Sequence, residues 1–359
     1  MPRPFDRPDA FARSEPRMGL VRAGGCAATG AAMSTADAEA QGANARAIAF
    51  ILAGVFFISI NDMLIKLLSG DYPLHQMVFV RSAIGICVSL VILRYEGGLA
   101  MLRTATPGLH LVRALLIVMA NMTFFAALAV MPLGAATALF FVAPLFITLL
   151  AIPVLGEKVG RHRMTAILIG LLGVAVMMAP GVDWGGIARW SLLLPVAAAL
   201  CYAGMQVLTR KLGAQSAASA MAVYIQTTFI LVSLAFFLVA GDGRFSEGLE
   251  SDSLVFLLRA WVWPPLADWW KFGLLGLLAG GVGYALSQAY RIGNAATVAS
   301  YEYTGLPIAI LWGWVIFGEV PSLPMLAGTA LIAGAGLYVF ARERARARPL
   351  AASRPQRRS

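Results

Sequence analysis

Ten stretches of this chain are apolar for long enough to cross about 30 Å of hydrocarbon, and no other feature restricts its fold as much. They lie near 47–68, 75–93, 111–131, 135–154, 164–180, 190–208, 219–240, 272–290, 295–317 and 324–341. Inside a bilayer the backbone must satisfy its own hydrogen bonds, which leaves helices and closed barrels. Barrel strands alternate apolar and polar residues and these runs do not. The expectation is therefore an all-α integral membrane protein of ten transmembrane helices. Composition agrees, because the 359 residues are 59% hydrophobic and only 13% charged, whereas a soluble domain carries about 25% charge.

Within a net charge of +10, arginines crowd the flanks, with Arg3, Arg7, Arg13, Arg17 and Arg22 before the first span and Arg342 to Arg358 after the last. Such flanks orient a protein in the bilayer, and no nucleic-acid partner is expected. Arg94 and Arg103 follow span two, Lys158, Arg161 and Arg163 span four, Arg210 and Lys211 span six, and Arg291 span eight. The alternate connections hold almost no cations beyond Arg189. In the long loop 241–271, Asp242, Glu247, Glu250, Asp252 and Asp268 outnumber Arg244, Arg259 and Lys271. This bias puts both termini in the cytoplasm of a multi-pass protein of the inner membrane and the long loop in the periplasm. Trp184, Trp190, Trp261, Trp263, Trp269 and Trp270 fall in outer connections or at their edges, where interfacial tryptophan belongs. Leu254 to Trp270 is expected along the outer interface, with Pro264 and Pro265 interrupting any helix.

Residues 1–45, rich in Ala, Gly, Ser, Pro and Arg, lack the apolar core of a signal peptide. They read as a disordered cytoplasmic segment, with Met18 and Met33 as alternative starts, and 342–359 as a basic cytoplasmic tail. Cys26, Cys87 and Cys201 show no CxxC or Cys/His spacing, so no disulfide framework, metal site or cofactor is expected.

The chain repeats itself. Gly134-Ala-Ala-Thr137 returns as Asn294-Ala-Ala-Thr297, Leu155-Gly-Glu157 as Phe317-Gly-Glu319, and Leu168-Ile-Gly-Leu-Leu-Gly173 as Leu331-Ile-Ala-Gly-Ala-Gly336, at offsets of 160, 162 and 163. A nearly constant offset divides the chain into two units of five spans, 46–180 and 181–341. Five is odd, so the units insert oppositely, a pattern of transporters with a substrate site near the midplane. Gly170 and Gly173 in span five, and Gly273, Gly276, Gly280, Gly281 and Gly283 in span eight, are expected to allow close helix contact.

These features resemble the drug/metabolite transporter superfamily and, within it, the ten-span EamA type, over about 46–341. The resemblance is carried by Pro144 to Gly156-Glu157, by Pro307 to Gly318-Glu319, and by Asn61-Asp62 with Lys66 and Phe79-Val80-Arg81. It implies a secondary carrier without a nucleotide-driven motor, alternating between two five-helix halves around a central cavity. Within the family, Asn61-Asp62, Lys66 and the aromatic span nine look most like the branch of riboflavin and S-adenosylmethionine importers. Riboflavin is the first expectation, its flat ring suiting tyrosines and its ribityl chain suiting amides. Export of amino acids, metabolites or drugs stays open, as does a monomer or a homodimer.

Ionisable residues inside spans are costly and need a partner or a water-filled cavity. Asp62 and Lys66 lie four apart on one helical face and are expected to pair, with Arg81 of span two a second cation for Asp62. Their functional reading is a contact for an anionic or electron-rich solute, or a gate; the structural one is a static ion pair. His110 and Arg113 are expected to snorkel to the headgroups. Tyr301-Glu302-Tyr303-Thr304, just before Gly305 and Pro307, places a carboxylate between phenols in span nine. Glu302 and Asp62 are the candidates for carrying a coupling proton. Asn121, Tyr202, Gln206, Tyr224, Gln226, Thr227 and Gln288 supply further hydrogen-bonding groups along the substrate pathway or between helices. Glu157 and Glu319, beside glycines at span ends, are assigned to capping and interfacial solvation. His75, His110 and His162 form no HExxH and no second aspartate joins Asp62 within a span, so an intramembrane enzyme is not expected.

Overall fold

The computed structural model describes residues 25–352 other than 105, 157–159, 180, 181, 183, 185, 213–217 and 293–300. Glu157, Lys158, the Asn294 to Thr297 segment and the end of the basic tail therefore lie outside the described residues. The chain divides into two units, Met1–Ala43 and Asn44–Ser359. The first is helical from Gly25, and the second holds all the packing described below.

Every regular element among the described residues is helical. The helices are α1 (Gly25–Leu68), α2 (Leu74–Glu96), α3 (Pro107–Leu128), α4 (Leu133–Phe140), α5 (Ala143–Leu155) and α6 (Arg161–Met177). There follow α7 (Leu193–Leu212), α8 (Ala218–Ala240), α9 (Asp252–Leu258), α10 (Trp269–Ile292), α11 (Gly305–Phe317) and α12 (Leu323–Ala352). Among the described residues, seven segments are long and apolar enough to cross a bilayer: Ala45–Leu68, Leu74–Glu96, Pro107–Leu128, Leu133–Leu155, Arg189–Thr209, Ser219–Ala240 and Leu323–Arg342. Met164–Met177 and Gly305–Phe317 are shorter apolar helices, and α10 runs for 24 residues.

The fourth span is two helices. At Phe141 the backbone leaves the helical region (ψ 2°) and the chain restarts as α5, with Pro144 in its first turn. Proline tolerates that position because it has no N–H to leave unbonded and its ring would clash with the carbonyl four residues back in a continuous helix. The second repeat does the same, with a turn at Tyr303-Thr304 and Pro307 in the first turn of α11. Both 13-residue helices stop at a glycine in the left-handed region, Gly156 at φ 69° and Gly318 at φ 67°. An L side chain there would crowd the carbonyl, so the repeated Gly-Glu step is a helix stop.

The two repeats interdigitate. The most extensive contacts pair α6 with α12, α2 with α8, α3 with α7, α2 with α10, α5 with α7 and α4 with α11, each pair drawn from opposite halves of the chain. Glycine permits the closest of these: a Cβ on Gly276 or Gly280 of α10 would lie 2.4 Å from Ile84 or 2.7 Å from Val88 of α2. On α6 and α12, Gly173 and Gly328 face one another's carbonyl oxygens at 2.7 Å from where a Cβ would stand. Gly273 and Gly283 touch nothing within that range, so close packing is not what they provide.

The segment between α8 and α10 is fastened to the end of the bundle where α1 finishes and α2 begins. Gln76 and Val262 exchange two hydrogen bonds, Nε2 to the carbonyl at 2.6 Å and the Val262 N–H to Oε1 at 3.1 Å. His75 Nδ1 lies 3.0 Å from the Leu257 carbonyl, Ser253 donates to Ala126 at 2.9 Å, and Arg259 donates to Ser69 and Gly70. Trp261 packs on Phe79 and Phe237, at ring separations of 5.5 Å and 4.5 Å, while Trp263 and Trp270 remain exposed. Of the strip's four tryptophans, Trp261 is thus half-buried by aromatic contact, whereas Trp263, Trp269 and Trp270 are exposed.

Candidate functional site

Two groups of polar side chains lie within the apolar bundle, joined by aromatic rings. The first draws on α1, α2, α3 and α8. Arg81 is only 5% exposed, and its guanidinium lies between two phenylalanines, 5.3 Å from the Phe125 centroid and 5.1 Å from that of Phe229. Both rings offer the negative face of a quadrupole to the cation. Asp62 lies within electrostatic reach and accepts a hydrogen bond from Asn61 Nδ2 at 3.1 Å. Arg81 Nε, Asn61 Oδ1 and Gln226 Oε1 have no hydrogen-bond partner among the described residues. Buried groups of this kind are ordinarily satisfied, so a donor on α2 and acceptors on α1 and α8 keep unused hydrogen-bonding capacity. Gln226 reaches α2 because residue 85 is glycine; a Cβ there would come within 2.7 Å of its Nε2.

The second group surrounds the α4–α5 break. Gln206 Nε2 donates to the Tyr202 hydroxyl at 2.7 Å, and the Tyr202 ring lies 5.4 Å from Phe140. Phe141, the residue at the break, lies 4.9 Å from the Tyr303 ring. Glu302 acts electrostatically on both tyrosines, which puts its carboxylate near them. Phe124 touches Phe140 at 5.1 Å and Phe125 at 6.0 Å, so aromatic rings run from the Arg81 group to the Tyr202 group. Phe124, Phe125, Phe140, Phe141 and Phe229 were not singled out in the sequence, although the doublets Phe124-Phe125 and Phe140-Phe141 were a visible signal.

Other sequence candidates fall elsewhere. Tyr303 is buried with its hydroxyl against Gly336 of α12, where a Cβ would overlap it. Tyr301 packs against Ala47, Ile51, Val55 and Ala289. The Tyr224 hydroxyl donates to the Leu102 carbonyl, and its ring lies 5.3 Å from His110. Asn121 donates to Ile117 in its own helix at 2.9 Å, Thr227 to Val223 at 2.8 Å, and Gln288 is half-buried. His110 and Arg113, expected at the headgroups, are 4% and 3% exposed. Arg113 instead donates to Thr209 of α7 at 3.2 Å, because the extensive α3–α7 contact encloses it before its side chain reaches the surface.

The expected Asp62–Lys66 pair is not made. Lys66 turns to Glu319 at 3.1 Å and donates to the carbonyls of Leu128 at 3.0 Å and Met131 at 2.6 Å. The other Glu319 oxygen accepts the Leu133 N–H at 2.8 Å. Leu128 ends α3 and Leu133 begins α4, so the ammonium sits on bare carbonyls at a helix C-terminus and the carboxylate on a bare N–H at a helix N-terminus. Each charge thereby meets the favourable end of a helix dipole, which a bond within α1 could not supply. Glu319 is therefore an inter-repeat contact and not the solvated span end expected from sequence. No group of three or more His, Cys, Asp or Glu side chains fit to hold a metal occurs among the described residues.

Residues 45–179 and 189–341 each match the EamA-like transporter family. The chain belongs to that family. Its EamA repeats are thus two, and it is a multi-pass membrane protein of a transporter family. It is 29% identical over 303 residues to a riboflavin transporter of Rhizobium johnstonii, covering 84% of this chain and 93% of the relative. To a riboflavin transporter of Vibrio cholerae it is 30% identical over 288 residues, covering 80% and 89%. An S-adenosylmethionine uptake transporter of Rickettsia prowazekii is 25% identical over 298 residues, covering 83% and 93%. A protein of known crystal structure shares the fold with a TM-score of 0.59 at 19% identity, over 84% of this chain and 99% of its own.

Proposed function

We propose that this EamA protein is a secondary carrier that imports riboflavin by alternating access, as ten spans in two inverted repeats with both termini in the cytoplasm. The observation that carries the reading is the Arg81 group: a buried cation held by ring faces, with the Asp62 carboxylate within electrostatic reach and amide oxygens lacking partners among the described residues. A flavin ring presents carbonyl acceptors and an imide N–H along one edge and a broad π-surface. Arg81 suits the carbonyls, Asp62 suits the N–H, Asn61 and Gln226 suit further polar atoms, and the Phe124–Phe140–Tyr202 row suits the ring faces. The relatives named riboflavin transporters support this assignment, and neither the site nor the relatives suggest an enzyme.

A second reading rests on Glu302 within electrostatic reach of Tyr202 and Tyr303, a carboxylate with phenol rings that suits a sulfonium cation, and on the relative named for S-adenosylmethionine uptake. Uptake by purified protein in proteoliposomes separates the readings, with riboflavin, S-adenosylmethionine and a panel of amino acids as solutes, with and without a proton gradient. Saturable riboflavin flux that falls sharply in Arg81→Gln is the expected result. Flux of S-adenosylmethionine alone, lost in Glu302→Gln, would replace riboflavin with the second reading, and flux of an amino acid alone would overturn both. Dependence on the gradient that disappears in Glu302→Gln would make that carboxylate the proton carrier.

A further inference from the structure

Lys66 and Glu319 belong to opposite repeats, lie at the end of the bundle away from Asn44 and Arg342, and are only 12% and 19% exposed. Four elements converge on them: the ends of α1, α3 and α11 and the start of α4. The geometry also explains how Glu319 arrives there. The left-handed Gly318 turns the chain back after α11, the Glu319 N–H bonds the Gly313 carbonyl at 2.9 Å, and the absence of a side chain at Gly313 leaves space for the carboxylate. A Cβ at Gly313 would stand 2.6 Å from Glu319 Oε2. The cavity beside the pair holds only about 10 Å³ of free space, lined by Pro132, Gly134, Ile310, Gly313, Val320 and Met325. That is about enough for one water molecule and too little for a solute.

We propose that the Lys66–Glu319 pair is the outer gate of the carrier, closed in this structure and opened by separation of the α4 start from the end of α11. The proposal rests on the transporter reading and on the orientation given by the basic loops. Three features distinguish a gate from a permanent brace. The pair joins the two repeats, it lies where the broken α4–α5 span begins, and all its bonds end on groups that water can satisfy once the end opens. Opening therefore exchanges protein partners for water without stranding a charge in hydrocarbon.

Hydrogen exchange on the purified full chain in nanodiscs tests the gate without any solute. In Lys66→Met, Glu319→Gln and Gly313→Ala, peptides covering 129–137 and 313–325 should exchange about tenfold faster than in wild type, while the α2–α8 contact keeps its protection. Lys66→Arg, which keeps the charge, should stay near wild type. Gly313→Ala retains both charges and only displaces the carboxylate, so it decides the matter if a charge-neutral variant fails to fold. Unchanged exchange in folded Gly313→Ala and Glu319→Gln would overturn the proposal. In flux assays, half-saturation for external solute should fall in these variants, because more molecules are already open outward, while turnover drops. Lower turnover with unchanged half-saturation would point to a brace and sink the gate. Absence of riboflavin flux in wild type would remove the substrate assignment alone, since the exchange experiment needs no riboflavin.

Discussion

Arg81 and Lys66 are cations of similar burial with opposite surroundings, and the difference predicts how each responds to substitution. Arg81 meets ring faces and a carboxylate within electrostatic reach, so Arg81→Lys should not restore what Arg81→Gln removes: an ammonium loses the planar stacking and the fork of donors. We expect riboflavin uptake to fall about tenfold or more in both variants, at unchanged yield of folded protein by size-exclusion chromatography. Outside the spans, the Tyr72 hydroxyl donates to Asp268 Oδ2 at 2.7 Å and Lys271 to Oδ1 at 2.6 Å. The Lys271 and Tyr72 hydrogen bonds hold the Asp268 carboxyl below its usual range, while burial and the neighbouring carboxylate push Tyr72 up to about 12. The Asp268 contribution to stability is full above the unfolded carboxyl pKa of about 3.9 and is lost as pH falls through the lowered value. The Tyr72 contribution is full below about pH 10 and is lost as pH rises towards about 12. Melting temperature against pH should therefore decline less steeply on the acid side in Tyr72→Phe than in wild type. The residue scale is also where sequence reading reached least far. The four-residue spacing of Asp62 and Lys66 is a correct statement about one helix, but the partners that Lys66 takes are 253 residues away at Glu319 and at the bare ends of α3 and α4. Nothing local to α1 encodes them.

At the scale of helices, glycine and proline were readable in advance because their effects are local. The span end at Gly318-Glu319 and the close contacts of Gly276 and Gly280 follow from backbone freedom and from the absence of a Cβ, whereas Gly273 and Gly283, read the same way, make no such contact. The split of the fourth span was legible only in part: Pro144 announces a weak point, but a proline near the middle of an apolar run is equally compatible with a mild bend. Gly280→Leu should drive the added side chain into Val88 and cost about 1–3 kcal/mol, whereas Gly283→Leu, with open space around it, should cost little. Thermal unfolding of the two variants in one detergent checks the contrast. Gln76→Ala removes both hydrogen bonds to Val262 at once and should loosen the segment between α8 and α10 by about 1–3 kcal/mol of local stability. Limited proteolysis between 259 and 268 should then proceed faster, with the bundle itself intact. His110 and Arg113 teach the complementary lesson, since their position near the start of α3 suggested headgroups, whereas Tyr224 of α8 packs on His110 and Thr209 of α7 bonds Arg113 inside the bundle.

For the whole molecule, constant offsets between repeated motifs gave the two halves, and the family match at 45–179 and 189–341 agrees with them. What the repeats could not reveal is that each leans on the other more than on itself. The pairs α2–α8, α3–α7, α4–α11 and α6–α12 all cross between halves. Chains cut between 180 and 189 should consequently be unstable when either part is made alone and should recover uptake when both are made together. Co-expression with uptake as readout tests this, and an active first half by itself would contradict the interlocked packing. The same interlocking bears on descent. A duplicated gene ordinarily frees one copy to drift, but here an enlarged side chain in one copy is felt first by a helix of the other, so substitutions must be accepted in matched couples across the joint. Chimaeras that take the first repeat from one member of the family and the second from another should then fail more often than the similarity of their parents suggests, and their rescuing mutations should map to the facing helix of the opposite repeat.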